Sequence, residues 1–154
     1  MQDDALDLYQ DLVMQRARQP RHAGAPPRYD AEAEGDNPMC GDRVRLYLRH
    51  GNDGAIAELG HETRGCAICI ASADLLADAV TGRDPARAMA LGDEVEAMVA
   101  SGTPPDDAEF GDLRALAGVH PYRSRHRCAT LPWQALRAAL AKAGELSPRE
   151  LSDD

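Results

Sequence analysis

The sequence predicts an α+β fold, in which a small antiparallel β-sheet of about three strands packs against several α-helices. Three observations support this prediction. Apolar and polar residues alternate after residue 42, a GNDG turn follows, and almost everything beyond residue 65 has helical character. Strands that come early and helices that follow are typical of the α+β class. A length of 154 residues fits one domain with one modest core.

The N-terminal part of the chain predicts one helix and one long loop. Asp3 or Asp4 is suited to cap a helix that runs to about Arg18, with apolar residues at helical spacing. The following stretch, QPRHAGAPPRYDAEAEGDNP at residues 19–38, is rich in proline and glycine and predicts a loop.

The next segment predicts a β-hairpin. A first strand is expected over 43–50, with an apolar face and a solvated face. The apolar face has Val44, Leu46 and Leu48, and the solvated face has Arg43, Arg45, Tyr47 and Arg49. The GNDG stretch supplies the turn, and a second strand is expected over 55–61.

Helices are expected from Cys66 onward. The stretch CAICIASADLLADAV is apolar nearly all round, as in a helix at the centre of a core. Asp84 and Pro85 are suited to begin a second helix, which should end near residue 100. The stretch DLRALAGV predicts a short helix.

The last helix is expected to open around residue 128. Thr130 is suited to its cap, Pro132 to its first turn and Gly144 to its end. A single domain over 1–146 and a flexible tail over 147–154 follow from this division.

Composition limits the classes of function. Asp and Glu number 26 against 17 Lys and Arg, a formal charge of −9, which argues against nucleic-acid binding. No apolar run approaches the ~20 residues of a membrane helix, and the acidic N-terminus is unlike a signal peptide. A cytoplasmic protein without a membrane partner is therefore expected.

The cysteines suggest a metal site. In a reducing cytosol, Cys40, Cys66, Cys69 and Cys128 are expected to be free, metal-binding or reactive. Cys66 and Cys128 both fall at predicted helix N-termini, which stabilise a thiolate, and Cys40 lies on a loop two residues before Asp42. Three thiols and one carboxylate converging at one end of the domain would form a tetrahedral zinc shell.

Other interpretations of these residues stay open. Cys66 and Cys69 could be small apolar core residues, and this interpretation is the better one for Cys69, which lies one turn inside the helix. Cys128 could be incidental. His120 and His126 lie near Cys128 and are weaker candidate ligands.

Five stretches carry a specific resemblance: LYQDLVMQRARQPRHAG, NPMCGDRVRLYL, GCAICIASADLLADAVTG, LRALAGV and RCATLPWQAL. With them the chain resembles, from about Leu8 to about Leu140, the U-type iron–sulfur assembly proteins. This group holds IscU, the N-terminal domain of NifU, and SufU. The resemblance implies a SufE/NifU-like fold. The long interval between Cys66 and Cys128, and Arg127 where IscU-like proteins have histidine, are similar to the SufU subtype.

The resemblance implies a function and a ligand set. SufU-like proteins bind zinc, take persulfide sulfur from a SufS-type, PLP-dependent cysteine desulfurase and pass it to a SufBCD-like scaffold complex. Such a protein is a sulfurtransferase that acts with the desulfurase and not as a stand-alone enzyme. Cys40, Asp42, Cys66 and Cys128 would hold the metal, and Cys40, as the loop residue, would accept the sulfur.

Two further residues are accessory candidates, because Arg125 matches an arginine of SufU-like proteins and Cys69 could add a resolving thiol. Two alternatives are an IscU-like scaffold with a transient [2Fe–2S] cluster on the same ligands, and a zinc-stabilised docking adaptor.

Overall fold

Three strands and four α-helices form the fold, in a computed structural model that describes residues 2–39, 41–106 and 108–153. The strands are β1 (Ala31–Asn37), β2 (Asp42–His50) and β3 (Ile56–Arg64). The helices are α1 (Gln2–Arg18), α2 (Ala67–Val80), α3 (Pro85–Ser101) and α4 (His126–Asp153). Two 3₁₀ segments, Ala108–Val119 and Arg123–Arg125, lie between α3 and α4.

The sheet is antiparallel with the order β1-β2-β3, which confirms the predicted class. The prediction of a loop over 19–38 is wrong for its second half, because β1 occupies 31–37. Its alternation is real, since Ala31 and Ala33 are buried and Glu32 and Glu34 are exposed. Alanine and glutamate are both weak strand formers, so the pairing with β2 determines this strand.

The predicted hairpin is present, with two differences. The inner face of β2 is buried as expected, but Tyr47 on the outer face is also buried, since its ring packs on Tyr29 and its hydroxyl donates to Glu62. The turn forms at Gly51–Ala55, where Gly54 has a φ of 84°. β3 extends to Arg64, three residues beyond the predicted end, and so reaches the start of α2.

The helices cover one face of the sheet. α2 lies at the centre of the core, as its composition predicted, with α1 and α4 packed beside it. α4 also crosses β1 and β2, and Gly35 permits this approach because a Cβ there would lie 3.1 Å from Leu131 Cδ1. α3 begins as predicted, with the Asp84 side chain accepting a hydrogen bond from the Arg87 amide at 2.8 Å.

The ends of the outer helices differ from the predictions. α1 already includes Asp3 and Asp4, so neither caps it. α4 begins at His126, four residues before Thr130, and continues past Gly144. The preceding 3₁₀ turn leads directly into α4, and the buried Ser72 hydroxyl donates to the Ala129 carbonyl at 2.6 Å. The Ser72–Ala129 bond is a tertiary contact, and it outweighs the local preference of proline for a first turn.

The predicted short helix at DLRALAGV is part of a 3₁₀ segment that bends at Gly111. The division into a domain and a flexible tail stays a prediction. Over the described residues, no helix has both the length and the apolarity that a membrane crossing requires.

Candidate metal centre

One end of the sheet carries three of the four predicted ligands, Asp42, Cys66 and Cys128. The end of β1, the start of β2, the end of β3 and the N-termini of α2 and α4 meet there. The β1–β2 loop turns sharply, with the Gly41 amide donating to the Asn37 carbonyl at 2.9 Å and Gly41 at a φ of 75°. Cys40, the predicted sulfur acceptor and fourth ligand, lies outside the described residues.

Asp42 is the first residue of β2 and is 1% exposed. Its Oδ1 accepts a hydrogen bond from the Cys66 amide at 3.1 Å, which joins the sheet to the start of α2. Its Oδ2 is buried and has no hydrogen-bond partner among the described residues. A buried carboxylate oxygen without a partner is costly, and a metal ion would satisfy it.

The two thiols come from helix N-termini. Cys66 is the N-cap of α2, with extended backbone angles and a partly exposed side chain. Cys128 lies in the first turn of α4 and is fully buried. The sulfur atoms of Cys66 and Cys128 and a carboxylate oxygen of Asp42 all lie within 4.8 Å of one another.

This donor set fits zinc. Thiolate and carboxylate are both zinc ligands, and three donors this close could share one tetrahedral ion with a fourth ligand from the protein or from water. Thiolate-rich sites also suit iron–sulfur clusters, so the chemistry of the donors does not by itself select the metal.

The electrostatics of the thiols differ from the expectation. Helix N-termini were expected to stabilise thiolates, but the pKa of Cys128 is raised well above its ordinary value. Burial is the main cause, followed by the adjacent Asp42 and Cys66, which add negative charge in the same small volume. A bound cation would reverse this effect, because metal coordination deprotonates a thiol.

Arg125 lies beside the thiols. Its side chain is exposed, and interaction with Cys128, together with the nearby Cys66, raises the pKa of Arg125. The predicted accessory arginine is therefore adjacent to the donor set, and its guanidinium supplies positive charge there.

The remaining candidates lie elsewhere. Cys69 is fully buried within the hydrophobic core. His120 bonds through Nδ1 to the Val99 carbonyl, and His126 bonds through Nε2 to the His120 carbonyl. Among the described residues, neither histidine joins the Asp42–Cys66–Cys128 group.

Two residues of the site were missed by the sequence analysis. Asn37 is the cross-strand partner of Asp42 and is 3% exposed. Gly65, at a φ of 150°, leaves the space that Asp42 fills. The sequence offered one signal for each residue: Asn37 directly precedes Pro38, and Gly65 directly precedes Cys66.

Comparison with known proteins agrees with this architecture. Residues 8–142 match the family described as the NifU-like N-terminal domain. The chain belongs to this family. Within it, the zinc-dependent sulfurtransferase SufU of Bacillus subtilis is 33% identical over 135 residues, which cover 88% of this chain and 90% of that protein. The scaffold protein IscU of Streptococcus pyogenes is also 33% identical, over 88% of this chain and 84% of its own length.

Solved structures of NifU-like proteins share the fold. A protein from Fervidobacterium islandicum that is described as an iron–sulfur cluster assembly scaffold for the SUF system superposes with a TM-score of 0.78 at 28% identity, covering 86% of this chain and 96% of that one. A NifU-like N-terminal domain from Brucella abortus superposes with a TM-score of 0.80 at 26% identity, covering 90% and 96% of the two chains.

Proposed function

We propose that this NifU-like chain works in iron–sulfur cluster assembly in the cytoplasm, as a zinc-dependent sulfurtransferase of the SufU type. The observation that carries the proposal is the convergence of Asp42, Cys66 and Cys128 within 4.8 Å. The similarity to a zinc-dependent sulfurtransferase over most of both chains supports the choice of metal and activity. A SufS-type cysteine desulfurase would donate the sulfur, and a SufBCD-like complex would receive it.

Asp42, Cys66 and Cys128 would hold the zinc together with Cys40. Zinc supplies Lewis acidity, which keeps bound thiols deprotonated at neutral pH. Four protein ligands would close a tetrahedral zinc site, so one of them would have to be free to accept sulfur. Asp42 is tied to the start of α2, and Cys128 is fully buried. Cys40 falls in the sequence between β1 and β2, and we assign it as the acceptor.

The transfer is a thiol–disulfide exchange. The Cys40 thiolate attacks the terminal sulfur of the desulfurase persulfide, and a new sulfur–sulfur bond forms on Cys40. The original sulfur–sulfur bond breaks, and its electron pair leaves with the desulfurase cysteine as a thiolate. No external oxidant or reductant is needed, because the persulfide changes carrier without a net redox change.

Cys40→Ser tests the acceptor. We expect this variant to keep its fold, because Asp42, Cys66 and Cys128 are unchanged, and to lose persulfide transfer from a radiolabelled desulfurase. Full transfer by Cys40→Ser would contradict the assignment. Asp42→Ala should weaken zinc retention, since metal binding is coupled to folding, and an unchanged zinc affinity would remove Asp42 from the ligand set.

The alternative function is a scaffold that carries a transient [2Fe–2S] cluster on the same ligands. This alternative is supported by the 33% identity to the scaffold protein IscU, which equals the identity to SufU. Metal and acid-labile sulfide analysis of protein purified without air separates the two. One zinc per chain without iron supports sulfur transfer, and iron with matching sulfide supports the scaffold.

A further inference from the structure

The outer edge of β3 is covered at both ends and open between them. β2 pairs with one edge of β3, and two connecting segments meet the other edge. At one end, the His61 amide donates to the His22 carbonyl at 3.0 Å, and the His61 carbonyl accepts from the Gly24 amide at 2.7 Å. At the other end, the Ile56 amide donates to the Arg83 carbonyl at 2.8 Å. Two extended segments of the chain thus already bind this edge, and residues 57–60 lie between them.

Leu59 lies in the open part of this edge. In an antiparallel sheet, the main-chain groups of successive residues alternate between the two edges of a strand, so Leu59 presents its amide and carbonyl on the same edge as His61. No main-chain group among the described residues bonds to Leu59 across this edge. Leu59 is 2% exposed, and buried main-chain groups in proteins are almost always paired. One donor and one acceptor are therefore available to an added extended chain.

A cavity of about 510 Å³ opens along this edge, and we call it the β3-edge groove. Its lining comes from residues 57–60, from residues 21–27 and from Thr81. Gly60 permits the close approach of the second of these segments, because a Cβ at residue 60 would overlap the Gly24 carbonyl oxygen. Sites for small ligands and peptides commonly enclose about 300–1,000 Å³. The groove is therefore large enough for a ligand.

The groove has room for only a short chain. Residues 22–24 and 82–83 occupy the edge on either side, so about four residues, roughly 13 Å of extended chain, fit between them. A long strand, such as the β3 edge of a second copy, would collide with these two segments. A groove that is closed at both ends accepts the terminus of a chain.

The charges of the groove favour a carboxyl terminus at its His61 end. Arg21, directly before His22, lines the groove and is exposed, with no ion pair to any described residue. Glu58 lines the groove nearer to Ile56. A terminal carboxylate is attracted to the guanidinium and repelled by the glutamate. A chain bound in this orientation runs parallel to β3, as residues 22–24 do.

We propose that the β3-edge groove binds the carboxyl-terminal segment of a partner protein as a short parallel strand. The Leu59 amide and carbonyl form its main-chain hydrogen bonds, and Arg21 binds its terminal carboxylate. None of the lining residues belongs to the candidate metal centre. This binding can therefore be tested separately from sulfur transfer.

Peptide selection tests the groove. A pool of random hexapeptides with free carboxyl termini is passed over the immobilised protein, and the retained peptides are identified by mass spectrometry. The control pool has amidated carboxyl termini. The test variant is Arg21→Glu, and the matched control is Arg18→Glu, because Arg18 is an exposed arginine of α1 outside the groove. A retained peptide is then titrated into the ¹⁵N-labelled protein, and hydrogen exchange of the Leu59 amide is measured.

We expect peptides to be retained from the free-carboxylate pool and not from the amidated pool. Amidation of a retained peptide, or Arg21→Glu, should weaken binding about tenfold or more, because each removes a charged hydrogen bond. Arg18→Glu should bind as the native protein does. The bound peptide should slow exchange of the Leu59 amide by about tenfold or more, since it gives this donor an acceptor. Zinc content and persulfide transfer should be the same in Arg21→Glu and in the native protein.

Several results would overturn the inference. Equal retention from the two pools, or retention from neither, would mean that the groove does not bind a carboxyl terminus. Peptide binding that is insensitive to Arg21→Glu, or that leaves exchange of the Leu59 amide unchanged, would place the peptide elsewhere. A dimer that protects the Leu59 amide in a concentration-dependent manner would assign the groove to a second copy. A native protein without zinc or persulfide transfer would contradict the proposed function and leave peptide binding unaltered.

Discussion

Asn37 and Asp42 face each other across the end of the β1–β2 hairpin, and both have buried polar atoms without hydrogen-bond partners among the described residues. Both amide atoms of Asn37 are in this state, as is Oδ2 of Asp42. Side chains that are direct cross-strand neighbours have Cβ atoms about 4.5–5.5 Å apart. The Asn37 amide is therefore within reach of the carboxylate that is expected to bind zinc.

We predict that Asn37→Ala has opposite effects on the metal-bound and the metal-free protein. With zinc, the amide should orient Asp42, so its loss should weaken zinc affinity by about 10–100-fold. Without zinc, the variant loses an unpaired buried amide, whose burial costs about 1–3 kcal/mol, so its free energy of unfolding should be unchanged or higher. Competition with a chromophoric chelator and urea denaturation measure the two quantities.

Asn52→Ala is the matched control, because Asn52 is exposed in the β2–β3 turn. It should change neither quantity. If Asn37→Ala lowers the stability of both forms equally, the amide has only a structural role and does not orient the ligand.

Gly65 makes room for Asp42. A Cβ at residue 65 would overlap Oδ1 of Asp42 and lie 2.8 Å from its Cγ. We predict that Gly65→Ala displaces the carboxylate, breaks its hydrogen bond to the Cys66 amide and lowers zinc content in purified protein. Metal analysis together with the melting temperature would detect this change.

Gly54→Ala separates that effect from backbone strain. Gly54 also has a positive φ, 84°, but a Cβ at this position would have no other atom within 4 Å. Both variants should lose stability through the disfavoured backbone angle, by about 1–2 kcal/mol. Only Gly65→Ala should lose zinc, and equal zinc content in both variants would contradict the role of Gly65.

The sequence predicted the elements in which apolar residues follow a strong strand or helix period. The face of Val44, Leu46 and Leu48, and the apolar helix after Cys66, were both evident in advance. β1 was not, because its buried positions are two alanines and one asparagine, and its stability comes from pairing with β2 and from α4. The start of α4 was also misplaced, since the anchor between Ser72 and the Ala129 carbonyl is a long-range contact.

The site was predictable in its residue types more than in its electrostatics. The motifs indicated Asp42, Cys66 and Cys128, and the structure brings these three together. The raised pKa of Cys128 depends on burial and on two neighbours from other elements, which spacing along the chain does not reveal. The pairing of Asn37 with Asp42 likewise depends on the strand register, which spacing along the chain does not reveal.

A buried ion network fixes the N-terminal region on α2. Asp74 has no exposed side-chain surface, and its Oδ2 lies 2.5 Å from Nη1 of Arg16, which is also buried. The other donors to Asp74 are the main-chain amides of Arg21 and His22 and Nε2 of His61. Burial opposes the charge of Asp74, but these hydrogen bonds are stronger in sum and hold its pKa well below the usual range.

We predict that Asp74 contributes to the acid sensitivity of the fold. Because the pKa of Asp74 is lowered by folding, its contribution is complete above its unfolded pKa of about 3.9 and is lost as the pH falls below that value. At neutral pH, Asp74→Asn should cost about 3–5 kcal/mol, since it leaves the buried Arg16 with only the partly exposed Asp78 as an ion partner. Below pH ~4 the variant should lose stability less steeply than the native protein, by up to about 1.4 kcal/mol per pH unit. Urea denaturation between neutral and acidic pH measures both effects. The control is Asp11→Asn, because Asp11 is exposed. Parallel pH profiles for the native protein and Asp74→Asn would show that this carboxylate is not the source of the acid sensitivity.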